Sequence, residues 1–226
     1  MQAVYATGKP VIVVLLNGRP LSINWVNKYV PGILEAWFPG AQGGTAIADV
    51  LFGDYNPGGK LTVTFPKTVG QIPYNFPTKP NAQWEGEKTR VNGALYYFGY
   101  GLSYTTFAYS NLKINPLKQH ARGNVTVSFN LKNTGTREGD EVVQLYTRDL
   151  VSSVTTYEKN LRGFDRIHLK PGESKIVSFT LTPDDLSLWD RNMNFVVEPG
   201  MFRIMIGSSS EDIRLNGDFE ILPESK

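Results

Sequence analysis

Residues 36–66 read A-W-F-P-G-A-Q-G-G-T-A-I-A-D-V-L-F-G-D-Y-N-P-G-G-K-L-T-V-T-F-P, and their grammar decides the fold. A short apolar run ends at Trp37 and Phe38, where Pro39-Gly40 turns the chain. Gly43-Gly44 then opens a helical pattern that sets Ala46, Ile47, Val50 and Leu51 on one face. Asn56-Pro57-Gly58-Gly59 is a second turn signal. Beyond it Leu61, Val63 and Phe65 alternate with Lys60, Thr62 and Thr64, as in a strand. The stretch is strand, turn, helix, turn, strand: one α/β unit.

Working outward, Lys9 to Leu16 (K-P-V-I-V-V-L-L) is apolar on both faces and suits a central strand of a covered parallel sheet. Asn17-Gly18-Arg19-Pro20 ends it. Leu21 to Tyr29 is a helix candidate stopped by Pro31-Gly32, and Ile33 to Phe38 is a second buried strand. Ala3 to Gly8 reads as a helix end closed by glycine. Residues 1–66 thus predict three strands and their helices, the C-terminal half of a parallel α/β (flavodoxin-like) sandwich domain. Such a half-sheet leaves an open edge, which predicts self-association.

Residues 67–106 form a long loop and linker without sustained periodicity. They hold Pro73, Pro77 and Pro80, then the polar run from Asn81 to Arg90, and close on the aromatic, glycine-rich stretch Tyr96 to Phe107. From Phe107 the grammar becomes all-β. Val125, Val127, Phe129 and Leu131 alternate with polar residues, Glu141 to Thr147 follows, and Val177, Phe179 and Leu181 alternate beyond Lys170-Pro171-Gly172. Phe202, Ile204 and Ile206 follow Glu198-Pro199-Gly200. Short alternating strands between such turns predict a β-sandwich of fibronectin type III or immunoglobulin kind over 107–226.

Composition narrows the function. With 23 basic and 21 acidic residues the net charge of +2 gives no electrostatic case for nucleic acid or an anionic membrane. No run reaches the roughly 18 apolar residues of a membrane span. Cysteine is absent and only two histidines occur, so no thiolate or His-rich metal site is expected, and no cofactor either. Trp25, Trp37, Trp84 and Trp189 are spread along the chain; exposed aromatic rings commonly stack on sugars.

In order along the chain, Lys9-Pro10-Val11, Asn17-Gly18-Arg19-Pro20, Trp37-Phe38-Pro39-Gly40-Ala41-Gln42-Gly43-Gly44 and Ala46 to Gly53 form one set of blocks. Asn56-Pro57-Gly58-Gly59-Lys60-Leu61, Phe98 to Phe107, Leu161-Arg162-Gly163-Phe164 and Glu198-Pro199-Gly200 continue it. The whole set resembles the C-terminal part of glycoside hydrolase family 3, the β-glucosidase and β-xylosidase family. The resemblance implies a parent with an N-terminal (β/α)8 barrel, an α/β sandwich domain and a fibronectin type III-like domain. It implies retaining hydrolysis of terminal β-linked sugars by an Asp nucleophile and a Glu acid/base, their carboxyl groups about 5–5.5 Å apart. Both are expected in parts of the parent that this chain lacks, so no catalytic residue is assigned here. The expected partners are the barrel domain and, through the complete enzyme, a carbohydrate; the parent is expected to be bacterial and periplasmic or secreted. A stand-alone carbohydrate-binding or scaffold module is the alternative.

Among local candidates, Trp84 and Glu85 are the expected substrate-binding residues, because Trp84 offers a face for a sugar ring on a loop long enough to reach one. Glu85 and Glu87 are not expected to form an acid/base pair, since nothing fixes their spacing. Arg90 reads as an inter-domain ion pair. Asp49 reads as a structural helix residue. Gly43-Gly44 serves either close helix–strand packing or a ligand at a helix N-terminus. The Tyr96 to Phe107 rings read as cement between domains or as a sugar platform, and His120 and His168 as surface residues.

Overall fold

The computed structural model describes residues 1–80 and 91–223. In chain order these form α1 (Gln2–Tyr5), β1 (Ile12–Leu15), α2 (Asn24–Tyr29), β2 (Gly32–Glu35), α3 (Gly43–Phe52) and a 3-10 turn (Val69–Gln71). Then follow β3 (Phe107–Asn115), β4 (Lys118–His120), β5 (Val125–Asn133), β6 (Gly139–Asp149), β7 (Asn160–Leu169) and β8 (Ser174–Leu181). The chain ends with α4 (Pro183–Leu186), β9 (Leu188–Trp189), β10 (Phe195–Val196), β11 (Gly200–Gly207) and β12 (Ile213–Leu222).

Two compact units share the chain. One comprises Met1–Tyr55, Val63–Asn75 and the described residues up to Tyr97; the other takes Asn56–Thr62, the described residues from Phe76 to 80, and Phe98 onward. The 67–106 segment is therefore divided between them, and the Asn56-Pro57-Gly58-Gly59-Lys60 turn belongs to the second.

In the first unit β1 and β2 pair in parallel, Ile12 opposite Gly32 and Leu15 opposite Glu35. Helix α2 is shorter than the sequence predicts, starting at Asn24 with no side-chain cap. Its Trp25 meets Tyr5 edge-on at 5.4 Å and Tyr29 at 5.0 Å. Helix α3 stops where Gly53 adopts φ +84° and returns its N–H to the Val50 carbonyl, a left-handed residue that favours glycine.

The third expected strand is not one. Between Leu61 and Phe65 the alternation fails, because Thr64 and Phe65 are both buried. The segment bonds irregularly instead: Leu61 N–H to Tyr100 O (2.8 Å), Gly99 N–H to Leu61 O (2.8 Å), and a lone bridge from Phe65 to Tyr96. The parallel sheet thus has two strands among the described residues.

The second unit is a sandwich of a three-stranded sheet, β3-β5-β8, and a five-stranded sheet, β4-β12-β11-β6-β7. Its neighbouring strands run antiparallel except β12 and β4. Val125, Val127, Phe129 and Leu131 from β5 meet Val143 and Leu145 from β6 and Phe202, Ile204 and Ile206 from β11. Burial of such side chains contributes on the order of 1.5–3 kcal/mol each, which makes this the core of the unit. The outward face of β6 is covered as well: Phe76 stacks on Phe98 at 4.4 Å and meets Tyr146 edge-on at 5.7 Å. His120, read as a surface residue, is exposed and lies in β4.

Candidate functional site

In parallel α/β sheets ligands bind beyond the carboxyl ends of the strands. Here those ends are Leu15 and Glu35, directly opposite each other. The chain leaves β1 through Asn17 and β2 through Glu35, Ala36 and Trp37, and Ala36 N–H extends the ladder by one bond to Leu15 O (2.9 Å).

Glu35 Oε1 accepts from Trp37 N–H at 3.0 Å. That bond holds Trp37 at φ +49°, left-handed backbone that costs a bulky residue about 1–3 kcal/mol. Asn17 Nδ2 donates to Arg19 O at 2.6 Å. Asn17 Oδ1 and Glu35 Oε2 are sealed from solvent with no hydrogen-bond partner among the described residues. Burial pushes the Glu35 carboxyl above its ordinary range, partly offset by the Trp37 N–H and the nearby Asn17 side chain. The strand ends therefore present two acceptors without donors, beside a strained tryptophan.

Aromatic and proline rings close over this edge. Phe38 is 80% exposed yet lies across Gly18, where an added Cβ would stand 2.6 Å from its ring. A Cβ on Gly43 would meet Pro39 at 2.5 Å, whereas one on Gly44 would meet nothing within 4 Å. Close packing accounts for Gly43. The Trp37 ring lies 5.9 Å from Phe65, and Phe65 5.8 Å from Tyr96, whose hydroxyl donates to Asn27 Oδ1 at 2.6 Å. Asp49 is half-buried in α3, and its carbonyl accepts from Tyr55 N–H at 3.0 Å.

Trp84 and Glu85, the expected substrate-binding residues, lie outside the described residues, as do Glu87 and Arg90. Asn17 and Glu35 were not singled out by sequence. The signal available was a polar residue closing each apolar run at the end of a parallel strand.

In the sandwich unit His168 Nδ1 shares a hydrogen bond with Asp140 Oδ1 at 2.8 Å, and Arg166 pairs with the other carboxylate oxygen. Burial works against ionisation of Asp140, but the hydrogen bonds from His168 and Arg166 outweigh it and hold the carboxyl below the usual range. A groove of about 370 Å³ lies between Arg148, Glu158, Arg203 and Asp218. Its cations are already matched, Arg148 to Glu158 at 2.5 Å, Arg203 to Asp218 at 2.9 Å and Lys159, which also lines it, to Glu211 at 3.9 Å, so it is no free anion site. No group of three metal-ligating side chains occurs among the described residues.

Comparison with known proteins gives this architecture its family. Residues 1–104 match the glycosyl hydrolase family 3 C-terminal domain, and residues 141–210 a fibronectin type III-like domain. A β-xylosidase from Formosa agariphila is 50% identical over 214 residues, covering 93% of this chain and 30% of the relative. A periplasmic β-glucosidase from Salmonella typhimurium is 46% identical over 230 residues, 97% of this chain and 30% of the relative. Among solved structures, a β-glucosidase from Erythrobacter marinus superposes with a TM-score of 0.93 at 40% identity, covering 98% of this chain and 29% of that one. A Listeria innocua β-glucosidase in complex with glucose gives 0.92 at 33% identity, covering 97% and 32%. The chain belongs to glycoside hydrolase family 3, as that family's C-terminal domain with a fibronectin type III-like domain after it. It spans about 30% of the length of the curated relatives it matches.

Proposed function

We propose that this chain is the C-terminal, non-catalytic portion of a retaining β-glycosidase whose complete form removes terminal β-D-glucosyl or β-D-xylosyl residues. One observation carries the reading: near-full-length similarity to β-xylosidases and β-glucosidases of which it spans about 30%. The two catalytic carboxylates then belong to the remainder, with the barrel domain as principal partner and the sugar reached through the complete enzyme. The chain supplies a scaffold, and the Asn17–Glu35 edge is where it faces polar groups. The complete enzyme works in the periplasm or outside the cell.

The test is hydrolysis of aryl β-glucosides and β-xylosides by the 226-residue chain. No turnover is expected; turnover abolished by Glu35→Gln or Glu85→Gln would overturn the non-catalytic assignment. The two-stranded sheet has unpaired outer edges among the described residues, and such edges recruit further strands. Self-association is therefore part of the proposal, and a monomer by sedimentation at tens of micromolar would remove it. Cell fractionation of the source organism, following the aryl-glycosidase, checks the compartment.

A further inference from the structure

Of the described tryptophans, Trp25 and Trp37 are half-buried and Trp189 alone is exposed. Trp189 sits in β9 directly opposite Phe195 in β10, so both rings stand on one face of the hairpin. They are 57% and 48% exposed, with centroids 5.2 Å apart and planes inclined by 41°. Leu188 and Val196 alternate to the other face and are half-buried, and the next residue, Val197, packs on the sandwich core. The larger apolar side chains face water while the smaller ones face protein. A cross-strand aromatic pair supports its hairpin through the contact between the two rings, which does not require this much open ring.

The turn between the strands is rigid. Asp190 Oδ1 accepts from the Asn192 and Asn194 N–H groups at 2.8 and 2.9 Å, and Oδ2 accepts from Asn194 Nδ2 at 3.2 Å. Asp190 N–H bonds back to Asn194 O at 3.0 Å, and Met193 takes φ +63° at the tip. Just before the hairpin in the chain, Thr182 and Asp185 form a reciprocal capping box on α4, whose Leu186 is buried. The rings are held ready on a fixed support, which lowers the ordering cost of binding.

We propose that the Trp189–Phe195 hairpin is a binding platform for a neutral β-linked polysaccharide chain. It rests on the reading that the complete enzyme acts on β-linked sugars. The C–H faces of successive pyranose rings lie on Trp189 and Phe195, whose spacing is comparable to the advance per sugar along such a chain. Arg191 and Asn192, exposed at the rim, bond the hydroxyls. Because the rings are inclined rather than coplanar, the platform fits a single twisted chain and not the flat face of a crystalline one.

Affinity electrophoresis of the 226-residue chain in native gels containing soluble arabinoxylan or mixed-linkage β-glucan tests this. The wild type is retarded in at least one gel, Trp189→Ala loses about tenfold or more of the apparent affinity, and Trp189→Phe keeps part of it. Phe164→Ala, an exposed aromatic on β7, migrates as the wild type does in the same gel. An unretarded wild type, or Trp189→Ala retarded equally, overturns the platform. Sedimentation of the chain with microcrystalline cellulose overturns the single-chain geometry. The aryl-glycoside assay reads the catalytic assignment separately, so either claim can fail alone.

Discussion

The Lys60 ammonium stands 3.5 Å from the Glu141 carboxylate, with both side chains almost sealed from water. Lys60 closes the Asn56-Pro57-Gly58-Gly59 turn and Glu141 lies in β6, so the pair ties a turn to a core strand. Tyr109 Oη donates to the same Glu141 oxygen at 2.8 Å, and Lys60 Nζ donates to Gly101 O at 3.1 Å. Asn56 adds to the tie by accepting from Ser103 Oγ and Tyr104 N–H and donating to Glu138 O. Removing one buried ion leaves the other uncompensated, so Glu141→Ala should cost about 3–5 kcal/mol. Lys60→Met combined with Glu141→Ala should cost less than the sum of the single changes. Urea unfolding midpoints at unchanged slope read both effects; a loss under about 1 kcal/mol for Glu141→Ala would show that the pair is not holding the turn.

Gly43 and Gly44 are neighbours in sequence with opposite expectations. An alanine methyl at 43 would drive into Pro39, whereas at 44 it would meet open space. Gly43→Ala should therefore destabilise the α/β unit by about 1–3 kcal/mol through overpacking. Gly44→Ala, inside α3, should stabilise by about 0.5 kcal/mol from helix propensity. Thermal melts of the two variants decide it, and a stabilising Gly43→Ala would refute the close-packing account.

These residues also show where sequence was legible. The helix from Gly43 and the strands at Val125, Val177 and Phe202 could be read because their periodicity is unbroken. Strand β3 was missed because its register slips between Ser110 and Lys113, where Asn111 takes φ +57°. Phe107 and Tyr109 turn toward the core before that bulge, and Leu112 and Ile114 after it, so no single alternation runs through. In β7 the pattern is broken by Phe164, which is 68% exposed. Leu61 to Phe65 failed the other way: a clean alternation in sequence that the backbone does not follow. The Asn17–Glu35 edge was illegible for a different reason. The two residues are brought together only by the parallel register of β1 and β2, and a pairing register is not visible in either strand by itself.

Asp149, at the end of β6, has its carboxyl pushed up to about 6, first by burial and further by the Glu198 charge, against the lowering effect of the Val151 N–H. Between the ordinary 3.8 and about 6 the folded chain holds a proton that the unfolded chain has released. This contribution to stability therefore falls as pH rises through that window and is lost above it. Asp149→Asn keeps an acceptor for Val151 N–H, 3.1 Å from Asp149 Oδ1, and removes the titration. Because the group keeps some contact with solvent, screening reduces the gain at pH 7.5 to about 1 kcal/mol. Denaturation across pH 4 to 7.5 should give a flatter profile for Asp149→Asn, and parallel profiles would contradict the assignment.

Glu35 separates a charge effect from an acceptor effect at the candidate site. Its Oε1 anchors the Trp37 N–H at 3.0 Å and with it the left-handed turn at Trp37. Glu35→Gln retains an acceptor there and discards a carboxylate whose ionisation burial opposes, so its stability should stay within about 0.5 kcal/mol of wild type at neutral pH. Glu35→Ala leaves the Trp37 N–H without that partner and frees the strained backbone to relax, at a cost of about 1–3 kcal/mol. Relaxation would withdraw the Trp37 ring from Phe65, 5.9 Å away, and expose it to water. Tryptophan emission should shift to the red in Glu35→Ala and not in Glu35→Gln, with Trp37→Phe marking the part of the emission that comes from this site. Equal red shifts in both variants would mean that the carboxylate charge, and not the acceptor it offers to Trp37, holds this edge in place.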